Sequence, residues 1–576
     1  MGGGTQFGQN QVRYDRFDFK ILETRHFDIY FYEEEREAVE VAALMAERWY
    51  ARLSTLLNHN LRSRQPIFFY ASHPHFMQTT QIFGSPSEGT GGVTEALKRR
   101  VVLPFVGSLA ETDHVLGHEL VHAFQFDMTE AGSGMEPDKL PSALRLPLWF
   151  VEGMAEYVSV GARDAHTAMW IRDAYQNERI PTMRQLRDPR FFPYRFGQAF
   201  WAYVAGRWGD ESVGRIMNAA VRGAGPEGAF LSVLGVPADT VNAEWQTEIE
   251  LAFESLRDMT SEPESYGRAV VTRETSGGRY NTGPALSPDG SELIALAVSD
   301  VFSMDMIRVD VETGEIVSTV VRGGADSHLE SIQFFKSAGE YHPAGDRVAF
   351  AGIRESDPIL IVQNTTDASR LIERVFPDIG EIYDPTWSPD GQSIVFQALI
   401  GGYSDLFRFD LETDSLTRLT NDTYTEMQPA WSPNGRWLAF ATDRFSSDHQ
   451  LLVHGELGLG IIDMETGRVS SLPGFQNGKH LDPQWSPDSE SLFFVSDAGG
   501  IANLFRMELD TGRKFQITKL FTGVSGITAM SPSLAVARES GAVAFSVYGD
   551  RSYSIFLIDD PSRLEGEFVT DRTVGR

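Results

Sequence analysis

Five turns of nearly the same composition recur in the second half of this 576-residue chain: Ser287-Pro288-Asp289-Gly290, His342-Pro343-Ala344-Gly345, Ser388-Pro389-Asp390-Gly391, Ser432-Pro433-Asn434-Gly435 and Ser486-Pro487-Asp488-Ser489. Their prolines, at 288, 343, 389, 433 and 487, lie 44 to 55 residues apart. Each turn precedes an apolar stretch such as Ile394-Val395-Phe396 or Leu438-Ala439-Phe440, and a degenerate sixth copy, Glu539-Ser540-Gly541, precedes Val543-Ala544-Phe545. Proline fixes φ and Asp-Gly or Asn-Gly tolerates positive φ, so each turn suits a tight hairpin. The second strand of each hairpin is expected to end at Asp310, Asp410, Asp463 or Asp510. Self-similarity at this period with four strands per repeat is the pattern of propeller blades, whereas a β-sandwich does not repeat at this length. Six copies imply six blades, with a strand near Ala269-Val270-Val271-Thr272 closing the ring against the last one.

The signatures Trp387-Ser388-Pro389-Asp390-Gly391, Trp431-Ser432-Pro433-Asn434-Gly435 and Trp485-Ser486-Pro487-Asp488 resemble TolB-type β-propeller repeats over Gly267 to about Arg572. The resemblance implies an interaction platform, hence a protein partner on the propeller face.

The first half does not repeat. Phe27 to Tyr32 alternates as a strand, Glu34 to Leu57 has helical period, and Ile67 to Tyr70, Gly91 to Thr94 and Arg100 to Phe105 read as strands. Thr112 or Asp113 is the expected N-cap of the next helix, and Trp149 to Val160, Gly197 to Trp208 and Asn242 to Leu256 are helical in period. Periodicity is lost around Thr260 to Gly267, which predicts domains at 1–262 and 263–576.

His118-Glu119-Leu120-Val121-His122 places two imidazoles one helical turn apart, with a carboxylate beside them. That pattern suits one zinc ion, with Glu119 as the base that takes a proton from water. Without cysteine in the chain, His and carboxylates are the available ligands. A third protein ligand is needed, and Trp149-Phe150-Val151-Glu152-Gly153-Met154-Ala155-Glu156 offers Glu152 once the chain turns around through Gly132 to Pro147. His114, His118 and His122 form a stripe of roughly 12 Å at about 1.5 Å per residue, too long for one ion, so His114 is expected to pack below the metal. His73 and His75 flank a proline and could line a cleft, although surface positions suit them as well.

The second motif resembles the gluzincin metallopeptidases, in which a downstream helix carries a ligating glutamate followed by glycine. The resemblance implies an α+β zincin-like metallopeptidase domain followed by the all-β six-bladed propeller. It makes His118, His122 and Glu152 the ligands of one Zn2+ ion, Glu119 the general base, and Glu156 the residue that orients the His118 ring. Tyr194 is the candidate to stabilise the oxyanion from a loop before a helix, with Tyr157, Tyr175 and Tyr203 competing and a buried core tyrosine equally in view. Arg195 could bind a substrate carboxylate, and the strand pair near Gly91 to Phe105 offers an open edge to a peptide.

The 80 acidic against 50 basic side chains, a formal charge of -30, argue against nucleic acid or an anionic membrane surface as the main partner. No apolar run is long enough to span a membrane. The start Met1-Gly2-Gly3-Gly4 looks engineered, which predicts a chain whose natural targeting segment was removed and a protein exported to the periplasm or exterior of a bacterium. Three functions remain: a zinc-dependent peptidase acting on peptide or protein substrates, its propeller controlling access or recruiting substrate; a cell-envelope binding protein with a silent metal domain; and a hydrolase of another amide. No signature identifies the substrate-binding residues.

Overall fold

A computed structural model of the protein describes residues 14–82, 86–96, 98–130, 145–300, 303–323, 326 and 329–574. Met1–Val106 with Ala110–Ser255 form one unit, and Gly107–Leu109 with Leu256–Arg576 form a second. The start of the chain and most of the expected turn from Gly132 to Pro147 lie outside the described residues. Among the described residues no helix is long and apolar enough to cross a membrane.

The first unit is built on a five-stranded sheet. In chain order the strands are β1 (Lys20–Glu23), β2 (Phe27–Phe31), β3 (Gln65–Tyr70), β4 (Val93–Glu95) and β5 (Arg100–Pro104), arranged β1-β2-β3-β5-β4. The middle three run parallel, while β1 and β4 are antiparallel edges. A parallel pair needs a crossover, and α1 (Arg36–Leu56) supplies it between β2 and β3, burying Val39, Ala42, Ala46, Trp49 and Leu53 along one face.

The one-turn helix α2 (His73–Met77) holds both histidines that were expected in a loop. His75 Nδ1 lies 2.6 Å from the Tyr32 hydroxyl and His73 Nε2 lies 3.2 Å from the Thr90 carbonyl, so both have structural partners. Helix α3 (Leu109–Glu130) begins three residues before Thr112. Neither Thr112 nor Asp113 is therefore the N-cap; Asp113 Oδ1 instead accepts the Trp49 indole N–H at 2.9 Å. The Trp49 ring lies where a Cβ on Gly117 would sit, 2.5 Å away, so α1 and α3 approach closely because residue 117 is glycine.

Four further helices complete the packing that matters to the site or lie beside it: α4 (Leu148–Val160), α5 (Ala165–Gln176), α6 (Pro193–Trp208) and α9, so numbered after α7 (Asp210–Ala219) and α8 (Gly225–Leu234), which spans Ala238–Asp258. Helices α4 and α6 cross at two glycines, since a Cβ on Gly153 would stand 2.3 Å from the Gly197 Cα. The Trp201 indole fixes the same crossing by donating to the Phe150 carbonyl at 3.0 Å.

The second unit is a six-bladed propeller. Its six sheets succeed one another along the chain, the first formed by Asn281–Leu286, Glu292–Asp300, Ser303–Asp310 and Ile316–Arg322. The repeated turns behave alike: Gly290, Gly345, Gly391, Gly435, Ser489 and Gly541 all have φ between +61° and +79°. The serine hydroxyl of four of them reaches the side chain two residues on, as Ser388 does to Asp390 at 2.6 Å. Trp387 and Trp485 donate their indole N–H to the backbone of the preceding blade, at Glu340 and Ala430.

The second strands end at Asp310, Asp410 and Asp463 as expected, but in the fifth blade the strand stops at Glu508, before Asp510. The second blade departs from the rule, its inner edge being shared by Ser331–Ile332 and Glu340–Tyr341 on the same neighbour. The ring closes with Arg268–Val271, which pairs with Ser552–Ile558 as the outer strand of the last blade.

Candidate metal centre

Helices α3 and α4 of the first unit bring the sequence-derived residues together. His118 and His122 are one turn apart on α3, and Glu152 comes from the first turn and a half of α4. His118 Nε2 and His122 Nε2 are 3.2 Å apart, and Glu152 Oε2 lies 3.3 Å from the first and 3.1 Å from the second. A tetrahedral zinc ion with bonds of about 2.0–2.1 Å has ligand edges of about 3.3 Å, so this triangle fits one face of such a polyhedron. Among the described residues it is the one group of three or more His and carboxylate side chains placed to hold a metal ion.

Each ligand candidate is itself held. The far nitrogen of His118, Nδ1, donates to Glu156 Oε2 at 3.2 Å, and His122 Nδ1 lies 2.9 Å from Gln125 Oε1. Gln125 in turn donates to the Val151 carbonyl, tying α3 to α4. Arg195 Nη1 donates to Glu156 Oε1 at 3.0 Å and lies 3.6 Å from Asp164, so it supports Glu156. His114 Nε2 is 3.8 Å from Glu156, one turn away from the triangle.

The electrostatics agree with the geometry. Burial opposes charge on His118, but the Glu152 and Glu156 carboxylates outweigh it and raise the ring to about 10. His122 is raised as well, against the same burial, by Glu152. Burial works equally against Glu152 and Glu156, yet His122 and His118 hold the former well below the usual carboxylate range, and His118, His114 and Arg195 bring the latter to about 2. Both sets of shifts come from the same contacts, in which the imidazoles and the carboxylates stabilise each other's charged forms against burial.

Glu119 is buried one residue past His118, facing the edge strand β4. Tyr194 stacks on His118 with ring centroids 5.6 Å apart and planes 18° apart. Burial, then the charges of Glu152 and Glu119, raise its phenol far above the usual range, so the hydroxyl keeps its proton beside the triangle. It stands in the first turn of α6 and not in a loop, because Pro193 occupies the first helical position. The competing tyrosines are engaged elsewhere: Tyr157 with Asp210, Tyr203 with Glu244 and Tyr175 against Phe253. The expected open edge is β4, which pairs with β5 on one side.

Two contacts escaped sequence reasoning. Gln125 lies three residues after His122 on the same helix, a spacing that could have revealed it. Thr94, whose hydroxyl donates to Glu119, sits on a strand 25 residues away and carries no such signal.

Two family models match the chain. The family described as "Peptidase of plants and bacteria" matches residues 103–245, and the "TolB beta propeller domain" matches 337–451. Among curated proteins the chain is 28% identical over 160 residues to an uncharacterized protein of Agrobacterium fabrum, covering 27% of this chain and 53% of that protein. It is 28% identical over 155 residues to dipeptidyl-peptidase 5 of Porphyromonas gingivalis, 24% of this chain and 21% of that one. To the Tol-Pal system protein TolB of Francisella tularensis it is 26% identical over 223 residues, 38% and 46% respectively. The chain thus spans from about a fifth to about half of these relatives. Among solved structures, TolB from Acinetobacter baumannii is 16% identical with a TM-score of 0.34, covering 58% of this chain and 72% of that one.

Proposed function

We propose that the first unit is a zinc-dependent peptidase of gluzincin type and that the propeller controls access to it or recruits its substrate. The observation that carries this reading is the triangle of His118 Nε2, His122 Nε2 and Glu152 Oε2 with edges of 3.1–3.3 Å, supported by the peptidase family match over 103–245. A zinc ion bound there would polarise the scissile carbonyl and bring the pKa of a coordinated water toward about 7. Glu119 takes the proton of the attacking water and delivers it to the leaving amine. Tyr194 donates its hydroxyl to the oxygen that gains charge, while Glu156 and Gln125 keep the two imidazoles in their tautomers and orientations. Export from a bacterial cell belongs to the same reading and is checked by fractionating cells that express the native gene.

A digest of a broad peptide library with metal analysis, comparing wild type with Glu119→Gln, tests it. The expected result is one equivalent of zinc in both proteins and cleavage by wild type alone; zinc without cleavage in either would defeat the peptidase reading. A second reading, a partner-binding propeller with a silent metal domain, is favoured by the TolB propeller match over 337–451. Under it, capture of a partner survives both zinc removal and Glu119→Gln.

A further inference from the structure

The edge strand β4 touches the metal helix through one side chain. The Thr94 hydroxyl lies 2.6 Å from Glu119 Oε2 and 2.9 Å from the Glu119 carbonyl oxygen. A hydroxyl has a single proton to give, and the carbonyl is already served by the N–H one turn on in α3. The proton therefore goes to the carboxylate, where a bond to an ionised acceptor is the stronger one. Gly92 also borders this side chain closely: a Cβ there would stand 3.0 Å from Glu119 Cγ and 3.2 Å from Oε1, so any larger residue would press on the carboxylate. Glu119 thus rests in a slot made by a glycine and a threonine of the same edge segment.

We propose that Thr94 is the positioning residue of Glu119, fixing Oε2 against β4 so that Oε1 is the oxygen that exchanges protons. This rests on the peptidase reading for its consequence but not for its geometry. In the step itself the water oxygen bonds to the scissile carbonyl carbon as its O–H bond breaks, and the proton joins Oε1. That proton then passes to the leaving nitrogen as the C–N bond breaks, and the Thr94 proton stays on its own oxygen throughout. Because Thr94 belongs to the strand at the open edge of the sheet, any displacement of that strand is felt directly by Glu119.

The variants Thr94→Val, Thr94→Ala and Thr94→Ser are compared with wild type and Glu119→Gln in two ways. On a peptide that wild type cleaves, Thr94→Val is expected to lower kcat about tenfold with KM changed less than about twofold and zinc content unchanged, while Thr94→Ser stays near wild type. In crystal structures of the zinc-free proteins, the Glu119 carboxylate is expected to leave β4 in Thr94→Val and Thr94→Ala and to keep its place in Thr94→Ser. An unmoved Glu119, a kcat for Thr94→Val within about twofold of wild type, or an equal loss in Thr94→Ser each overturns the assignment. Should Thr94→Val fail to fold, Thr94→Ala supplies both readouts. If instead wild type and every variant bind zinc but cleave no peptide, the peptidase reading falls alone, and the crystal structures still decide what holds Glu119.

Discussion

Two loci, the candidate metal centre of the first unit and the inner strands of the propeller, bury carboxylates with opposite results. In the first unit Glu152 and Glu156 are pulled below the usual carboxylate range because histidines and Arg195 surround them. In the propeller, burial pushes Asp482 up to about 6, and burial with the nearby Asp422 raises Glu426 to about 8 despite Arg444. Asp384 is raised well above its ordinary value by burial and by Asp482. The same loss of water is offset at one locus and left standing at the other. The carboxylates of the candidate metal centre come with their counter-charges, whereas Asp482 on an inner propeller strand accepts the N–H groups of Ser533 and Leu534 at 2.7 Å.

The contrast is broken most severely at its chemical centre. Glu119→Gln is expected to lower kcat by about a hundredfold to ten-thousandfold without changing the melting temperature, measured by peptide cleavage beside calorimetry. Next comes the support of the ligands: Glu156→Gln removes the charge that holds His118 and is expected to weaken zinc binding about ten- to a hundredfold, read by competition with a chelating dye. Gly153→Ala drives a methyl group into the Gly197 backbone and is expected to destabilise the first unit by about 1–3 kcal/mol, read by denaturant unfolding.

The smallest effect lies in the propeller. Asp482 has a folded value of about 6 against an ordinary 3.8, so its contribution to stability is fully present below the lower value and is lost as pH rises through the upper one. Between about pH 5 and about pH 7 it should cost the propeller about 1 kcal/mol, and Asp482→Asn should flatten that part of the stability profile. An unchanged profile in the variant would remove Asp482 from the contrast.

What the sequence revealed follows from the same physics. The propeller is legible because five of its six turns carry proline and all carry a residue that adopts positive φ, and those residues recur in register; even Ser489, which lacks the glycine, keeps φ at +61°. The inner strands hide more. Gly283, Asp384, Gln428 and Asp482 all have positive φ and each precedes a proline, a second repeated signal that turn-reading passes over. In the first unit, the approach of His118, His122 and Glu152 is legible because two of them share a helix face and the third lies in a helix of strong period. The beginnings of helices were harder. Pro193 is the first residue of α6 and moves Tyr194 onto the helix, while α5 starts at a single capping contact, the Asp164 side chain accepting the Thr167 N–H. Thr94 and Arg195 act across folds of the chain, and nothing local announces a partner that only tertiary structure supplies.

The strand that completes the last blade, Arg268–Val271, leaves the ribosome before any other part of the propeller, and its partner Ser552–Ile558 is nearly the last to appear. Through almost the entire synthesis of the second unit, this short segment has no edge to join. Closure of the ring must therefore wait for Ser552–Ile558, and it is a long-range pairing of the kind that folds slowly and leaves strand edges open to other chains in the meantime. A chain cut before Ser552 would yield an unclosed row of blades in place of a ring.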